Sequence, residues 1–192
     1  MNKTIRNILK KIKYVSKSGV SVLKAKKVVP ILHNKDNQEI LKGKVALITG
    51  GSGGIGTAIA QSFVESGCKV IITGTNEKKL QQYCSRLGEQ SKYIVLNLLD
   101  TKQINSKIEE AARMFGKIDI LVNSAGIHST KMISDFLDVT EEEYDSIMGI
   151  NLKGTFFVSQ AIGNYMIDNK IKGHILNISS SVALEPAWTP YR

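Results

Sequence analysis

The sequence predicts a three-layer α/β domain built on a doubly wound parallel sheet. From residue 43 onward, short apolar runs alternate with amphipathic helical stretches, and the first run ends in a cluster of glycines. Strands that alternate with helices indicate βαβ units with right-handed crossovers. The runs are almost continuously apolar, which is typical of a sheet whose two faces are both covered by helices.

Five apolar runs predict the strands, and the stretches between them predict the helices. The strands are KVALIT at 44–49, KVIIT at 69–73, YIVLNL at 93–98, IDILVNSAG at 118–126 and GHILNISSS at 173–181. The helical stretches are 57–67, 76–90, 101–116 and one long stretch at 141–169. A helical stretch separates each strand from the next, so the predicted sheet is parallel throughout.

Charge divides the chain into an extension at residues 1–42 and a domain at residues 43–192. The extension carries eleven Lys and Arg against two acids, whereas the domain carries fifteen of each. The net charge of +9 therefore belongs to the extension, and the domain is neutral. A neutral domain does not favour specific binding to nucleic acid.

The extension begins with a basic amphipathic pattern. Ile5, Ile8, Leu9 and Ile12 recur at helical spacing, with Lys and Arg mostly on the other faces. Two interpretations remain open. The segment is either a solvated extension, or a helix that binds an anionic membrane surface through residues 1–27 or docks on a partner.

Composition excludes several other classes of protein. Only two cysteines occur, Cys68 and Cys84, which favours a reducing compartment such as the cytoplasm and no disulfide framework. No apolar run approaches the roughly 20 residues of a membrane-spanning helix, and the N-terminus lacks the features of a secretory signal. The three histidines are scattered without the spacing of metal ligands, so we expect no metal site.

The glycine cluster LITGGSGGIG at 47–56 joins the first strand to the first helix. The N-terminus of a helix carries unpaired N–H groups and a partial positive charge, so it binds phosphate where the backbone can approach closely. A glycine-rich turn by itself can be merely a tight turn. Here it follows a strand, precedes a helix and opens a βαβ unit, and this context predicts a dinucleotide site.

Four motifs together resemble the short-chain dehydrogenase/reductase family. Thr49-Gly50-x-x-x-Gly54-Ile55-Gly56 resembles its TGxxxGxG motif, and NSAG at 123–126 resembles its NNAG motif. Asn151 in INLKG resembles the Asn of the family's central helix, and NISS at 177–180 resembles the stretch with its active-site Ser. The resemblance runs from about Gly43 to Arg192, is closest to beta-ketoacyl reductase-like members, and implies a Rossmann-type fold.

The resemblance also implies catalytic residues. Ser180 would hydrogen-bond the substrate oxygen, Tyr191 would exchange a proton with it, and Asn151 would help to position a proton-relay water. Ser181 is an alternative to Ser180, Tyr191 could be an ordinary surface residue, and Asn151 could simply kink its helix. The family's Lys would fall four residues after Tyr191, beyond Arg192, so we expect a domain that is incomplete at its C-terminus and lacks the C-terminal elements.

The implied cofactor is NADP or NAD. The residues expected to bind it are Thr49, Gly50, Ser52, Gly54, Ile55 and Gly56 around the pyrophosphate, Thr75 after the second strand, Asn97 and Leu98 near the adenine, and Asn123, Ala125 and Gly126 near the ribose. An acid that binds the ribose hydroxyls of NAD is missing at the end of the second strand, where Gly74 stands. This favours NADP, although Gly53 stands where many NADP-binding members have a basic residue.

The expected function is hydride transfer between a nicotinamide cofactor and a carbonyl or alcohol substrate. The alternative is a nucleotide-binding relative without catalysis, or an inactive fragment. By the same resemblance, the complete protein is expected to form a homo-oligomer.

Overall fold

The structure, a computed structural model, describes residues 39–127 and 138–180. All of them belong to one of the two units into which the chain divides, Lys35–Arg192. Five parallel strands form one sheet in the order β3-β2-β1-β4-β5. The strands are β1 (Val45–Thr49), β2 (Lys69–Gly74), β3 (Ser91–Val95), β4 (Ile120–Asn123) and β5 (His174–Asn177). The predicted parallel α/β fold is confirmed.

Helices connect these strands. They are α1 (Gly54–Glu65), α2 (Glu77–Leu87), α3 (Ile104–Phe115), α4 (Glu141–Met148) and α5 (Thr155–Asp168). A short 3₁₀ turn, Thr101–Gln103, precedes α3.

Alternating residues of the strands supply two separate cores, one on each face of the sheet. Val45 and Leu47 of β1 belong to the core that α3 and α5 cover. Ala46 and Ile48 belong to the core that α1 and α2 cover. Because both faces of β1 are buried, every residue of this strand must be apolar or hydrogen-bonded. The two cores make β1 the centre of the domain.

The third strand is shorter than the sequence predicts. The predicted strand extends to Leu98, but β3 ends at Val95. The backbone N–H of Leu96 still donates to the carbonyl of Gly74 on β2, at 2.9 Å. After it, the carbonyl of Asn97 accepts the N–H of Asp100 at 3.1 Å, and this tight turn takes the chain away from the sheet.

The long helix predicted over 141–169 is interrupted. A π-helical turn, Gly149–Gly154, separates α4 from α5. The sequence gives a reason for the break, since a glycine stands at each end of the turn and glycine disfavours a regular helix. π-helical turns inside helices are rare and frequently lie at functional sites.

Asp119 fixes the edge of the sheet at which the strands begin. Its carboxylate is buried and accepts the backbone N–H of Val45 at 2.9 Å. The amino groups of Lys117 and Lys44 lie 3.0 and 3.6 Å from its oxygens. These contacts hold the starts of β1 and β4 together, at the edge of the sheet opposite to the glycine cluster.

Three further features bear on the sequence predictions. Cys68 and Cys84 are free thiols. Across the two described ranges, no helix has the length and apolar character needed to cross a membrane. Nor do the side chains of those residues include a group of three or more His, Cys, Asp and Glu placed to hold a metal ion. The basic extension lies outside the described residues, apart from its last four.

Candidate cofactor-binding and active site

A cavity of about 480 Å³ opens where the four strands β1 to β4 end. The chain runs from β1 outward through β2 and β3, and then returns to the other side of β1 to form β4. Ligands of open α/β sheets bind at such a reversal of strand order, outside the carboxyl ends of the strands. The cavity therefore lies where the fold itself predicts a site.

The glycine turn is the floor of this cavity, and three of its glycines are required by close packing. A Cβ on Gly51 would lie 2.5 Å from the Cβ of Ile72 on β2. Gly50 has a φ of +66°, and a Cβ there would lie 2.7 Å from the Cα of Ala125. A Cβ on Gly56 would overlap the carbonyl oxygen of Gly50. A side chain at Gly50 would push the turn away from the loop that follows β4, and a side chain at Gly56 would push the start of α1 away from the turn.

Gly54, at the start of α1, is different because packing does not require it. A Cβ on Gly54 would meet no atom of the described residues within 4 Å, yet Gly54 lines the cavity. Gly53 precedes the helix and supplies no capping side chain, so the N–H groups of the first turn can still donate to an anion. An open glycine beside uncapped amides is what the close approach of a phosphate needs.

Thr57 braces the turn, a role that was not inferred from the sequence. Its hydroxyl lies 2.7 Å from the carbonyl of Gly53 and 3.1 Å from that of Gly51. A Thr that directly follows the motif, one helical turn after Gly53, is the signal that could have revealed it.

Ten of the twelve predicted cofactor residues line the cavity, and Thr49 and Asn123 do not. Thr49 is buried, and its hydroxyl oxygen accepts the backbone N–H groups of Ser124 and Ala125 at 3.2 and 3.1 Å. It thus ties the end of β1 to the loop after β4 and supports the wall from behind.

Asn123 is likewise buried and holds neighbouring elements together. Its amide nitrogen donates to the hydroxyl of Ser159 on α5 and to the side-chain oxygen of Asn177 on β5, both at 2.8 Å. Its own side-chain oxygen and the hydroxyl of Ser124 are buried without a hydrogen-bond partner in the described part of the chain. Uncompensated polar atoms of this kind are uncommon in protein interiors, and here they flank the cavity.

Further residues line the cavity without having been predicted to bind the cofactor. They are Gly53, Thr73, Gly74, Leu96, Ser124, Ile127 and Ile150. Most of them are next to a predicted residue in the sequence or stand at the end of a strand. This position in the sequence is the signal that could have identified them as lining residues. None of the described residues that line the cavity carries a charge.

Asn151 lies in the π-helical turn and is paired with the loop that follows β4. Its side-chain oxygen accepts the backbone N–H of Ile127 at 2.8 Å, and its amide nitrogen donates to the carbonyl of the same residue at 2.7 Å. The side chain therefore fixes the loop that borders the cavity. The sequence-based alternative for Asn151, a residue that kinks its helix, stays a hypothesis; the structure shows that α-helical hydrogen bonding gives way to a π-helical turn at this position.

The other two predicted catalytic residues are placed only in part. Ser180 lies three residues beyond the end of β5, at the same edge of the sheet as the cavity, and its side chain is exposed. The backbone N–H of Ile178 donates to the carbonyl of Asn123 at 2.9 Å and so holds this segment against β4. Tyr191 and Ser181 lie outside the described residues.

The residue at the end of β2 bears on the choice between NAD and NADP, because an acid at this position would bind the ribose hydroxyls of NAD. Gly74 ends β2, and a Cβ there would lie 3.1 Å from the hydroxyl of Ser52. Asn76 caps α2, its side-chain oxygen accepting the N–H of Lys79 at 3.0 Å. A cavity with open glycines, uncapped amides and a neutral lining fits a dinucleotide.

Comparison with known proteins agrees with this geometry. The model of the family described as short chain dehydrogenase matches residues 44–191. The chain belongs to the short-chain dehydrogenase family. The match begins at the start of β1 and covers every described strand.

Curated members of the family include close relatives of this chain. An uncharacterized oxidoreductase of Staphylococcus epidermidis is 34% identical over 149 residues, which are 78% of this chain and 63% of that protein. The galactitol 2-dehydrogenase of Agrobacterium fabrum is 39% identical over 140 residues, 73% of this chain and 54% of that protein. The chain thus spans somewhat less than two thirds of the length of these relatives.

Solved structures of the family share the fold. The 3-ketoacyl-(acyl-carrier-protein) reductase from Brucella melitensis, solved as a complex with NADH, superimposes with a TM-score of 0.71 at 31% identity. The match covers 76% of this chain and 60% of that one. A short-chain type dehydrogenase/reductase from Mycobacterium marinum gives a TM-score of 0.73 at 29% identity, over 80% of this chain and 62% of its own.

Proposed function

We propose that this chain is an NAD(P)-dependent oxidoreductase, or the nucleotide-binding part of one, which interconverts a carbonyl compound and an alcohol. The observation that carries the proposal is the glycine turn, which opens onto the cavity beside the uncapped N-terminus of α1. Membership of the family, the oxidoreductase and dehydrogenase names of its relatives and the NADH-complexed neighbour support it.

Different residues around the cavity would bind different parts of the cofactor. The amides of Gly54, Ile55 and Gly56 would bind the pyrophosphate, because they form the first turn of a helix without a capping side chain. Asn97 and Leu98 would contact the adenine, and Ala125 and Gly126 the adjoining ribose. Thr49 and Asn123 would act indirectly, by holding the loops that make these contacts.

Three side chains would serve the reaction. When bound, the nicotinamide supplies or accepts the hydride. Tyr191 donates a proton to the substrate carbonyl oxygen, Ser180 donates a hydrogen bond to the same oxygen, and Asn151 fixes the loop at Ile127. A tyrosine with a pKa near 10 is a weak acid–base catalyst at neutral pH, so a neighbouring cation must favour its ionised form. The family's pattern supplies that cation as a Lys four residues after the Tyr.

Removal of the hydroxyl group of Tyr191 tests its assignment as a catalytic residue. Tyr191→Phe removes only the hydroxyl, so in the full protein we expect kcat for carbonyl-dependent NADPH oxidation to fall about 10²- to 10⁴-fold. NADPH binding should be unchanged. An undiminished kcat would overturn the role of Tyr191. Normal cofactor binding without turnover of a panel of aldehydes and ketones would instead favour the non-catalytic relative.

We further propose a preference for NADP over NAD. No acid stands at Gly74 to bind the ribose hydroxyls or to repel a phosphate on them, and the hydroxyl of Ser52 lies beside this position. Gly74→Asp should reverse the preference, whereas Gly74→Asn, which has the same shape without the charge, should not. The ratio of the Kd values for NADPH and NADH decides. Tighter binding of NADH by the unaltered protein would contradict the proposal.

A second copy of the chain is the proposed protein partner. Tyr144, Met148, Leu152 and Phe156 follow one another at intervals of four residues through α4, the π-helical turn and α5, and all are exposed. Such a series of large apolar side chains is unusual on a monomer surface. Phe156→Glu should shift the species seen by light scattering toward the monomer, whereas Lys170→Glu should not. A monomeric unaltered protein would contradict this.

For location, we propose the cytoplasm, with attachment to anionic membrane surfaces through residues 1–27. The two free thiols agree with a reducing compartment. The concentration of the net charge in residues 1–42 and the spacing of Ile5, Ile8 and Leu9 support the attachment. A peptide of residues 1–27 should gain helix on vesicles of anionic lipid and release when salt is added. No gain in helix would leave the extension as a solvated segment.

A further inference from the structure

Two consecutive leucines after β3 lie directly against the π-helical turn. A Cβ built on Gly154 would lie 2.7 Å from the Cβ of Leu98 and 3.0 Å from its carbonyl oxygen. A Cβ built on Gly149 would lie 2.6 Å from the Cδ2 of Leu99. Both ends of the turn therefore rest on adjacent residues of a single loop. At Gly154 only glycine fits, because the contact is with a Cβ and a backbone oxygen, whereas at Gly149 the contact is with the tip of the Leu99 side chain.

The loop that carries these leucines is itself well fixed. The side-chain oxygen of Asn97 accepts the backbone N–H of Leu99 at 3.1 Å, and its carbonyl accepts the N–H of Asp100 at 3.1 Å. Leu98 is 6% exposed and packs in the core shared by β1, α3 and α5. Leu98 thus presents a fixed surface to the turn, and the backbone of Leu99 is held by Asn97.

The turn needs support of this kind. A six-residue π-helical turn with glycine at both ends has little local preference for its own conformation, because glycine loses the most backbone entropy on ordering. Contacts from outside must hold it. Asn151, between the two glycines, carries the paired hydrogen bonds to Ile127.

Two walls of the cavity are therefore connected through the turn. Leu98, in the loop after β3, and Ile127, in the loop after β4, both line the cavity. Leu98 touches the turn at Gly154, and Ile127 touches it at Asn151. The turn is thus in steric contact with one loop and hydrogen-bonded to the other.

We propose that Leu98 and Leu99 are positioning residues for Asn151, so that a nucleotide at the adenine end of the cavity orders the Asn151–Ile127 pair at the other end. The proposal rests on the proposed function, because it assumes that the adenine end is next to Leu98. The coupling is reciprocal, since two sites that bias one element affect each other equally.

The first test needs no ligand. Hydrogen exchange measured by NMR on the full chain reports the Ile127 amide, whose acceptor is the side chain of Asn151. Leu98→Ala should speed its exchange roughly tenfold, and so should the milder Leu99→Ala, whose side chain is half exposed. The amide of Leu47 in the core strand β1 reports global unfolding, so only a change at Ile127 larger than the change at Leu47 counts, and a protected Leu47 amide shows that the variants fold. Unchanged exchange at Ile127 in both folded variants would overturn the positioning role.

The second test adds ADP, which lacks the nicotinamide half of the cofactor. In the unaltered chain, saturating ADP should slow exchange at Ile127 about tenfold, within the usual range of coupling between sites. Leu98→Met should keep this response, whereas Leu98→Ala, at an ADP concentration raised to saturate its weakened site, should lose it. An equal response in Leu98→Ala would overturn the coupling. Failure of ADP to bind the unaltered chain would count against the proposed cofactor site, while the ligand-free test would still decide the positioning role.

Discussion

The side chain of Asn151 is paired with the backbone of Ile127 through two hydrogen bonds, of 2.8 and 2.7 Å. The pair joins the π-helical turn to the loop that follows β4. A side-chain amide suits this pairing, because it has an acceptor oxygen for the N–H and a donor nitrogen for the adjacent carbonyl on the same carbon atom. This relationship explains why an asparagine stands at the break in the helix.

Asn151→Asp should therefore be damaging although it changes the shape of the side chain very little. The carboxylate still accepts the N–H of Ile127 but faces the carbonyl of the same residue without a donor. We expect a loss of about 1 kcal/mol in the free energy of unfolding, together with weaker NADPH binding, as measured by urea denaturation and calorimetry. Asn151→Asp with unaltered stability and affinity would show that the pair is not important.

Gly56→Ala should destabilise the domain, because its methyl group would overlap the carbonyl oxygen of Gly50. We expect a cost of roughly 2 kcal/mol in the free energy of unfolding. Gly163→Ala is the matched control, since a Cβ there meets no described atom within 4 Å, and it should stabilise α5 by up to about 1 kcal/mol. If urea denaturation showed that Gly56→Ala and Gly163→Ala change the free energy of unfolding in the same direction, the close packing of the glycine turn would be contradicted.

Asp119→Ala should also destabilise the domain, although it lies far from the cavity. The substitution leaves the backbone N–H of Val45 without its acceptor and removes the partner of two lysines. A cost of about 2–3 kcal/mol follows from the loss of a buried charged acceptor. Lys44→Met should cost well under 1 kcal/mol, because Lys44 is half exposed. Equal costs would refute the central role of the carboxylate.

Stability should fall between pH 9 and 11 through the Cys68 thiol. Burial, reinforced by the charge of Asp119, raises the pKa of Cys68 from 9.0 to about 11. The unfolded chain therefore releases this proton near pH 9, whereas the folded chain keeps it, so stability is complete below pH 9 and declines as the pH rises to 11. Cys68→Ala should remove up to about 2 kcal/mol of this decline in the unfolding free energy. The same pH slope in both proteins would contradict the assignment.

Much of the fold could be predicted because it depends on local patterns. The order of strands and helices follows from apolar runs separated by helical stretches, and the glycine cluster marks the first crossover. The end of β3 could not be predicted, since Leu96 and Leu98 are as buried as strand residues although the chain has already turned at Asn97. An apolar run in the sequence indicates that its side chains are buried, but it does not indicate that its backbone is hydrogen-bonded to a neighbouring strand.

The site could be predicted less completely than the fold. The motifs identify the residues at the ends of the strands, but not which side chains face the cavity and which support it from behind. Thr49 and Asn123 belong to the second group, because their partners lie on other elements, 75 or 76 and 36 or 54 residues away in the chain. Ile127 and Ile150 were not predicted to line the cavity, because the sequence does not distinguish an isoleucine beside a motif from a residue of the hydrophobic core.

The central claim is that the glycine turn and the N-terminus of α1 bind the pyrophosphate of a nicotinamide dinucleotide. Gly54→Glu places a carboxylate and its bulk in the cavity at a position where the fold itself has room for a side chain. Gly163→Glu makes the same substitution at an equally open helical position in α5, away from the cavity. Calorimetric titration with NADPH should show binding by the unaltered chain and by Gly163→Glu, and none by Gly54→Glu. Undiminished affinity in a folded Gly54→Glu protein would contradict the account.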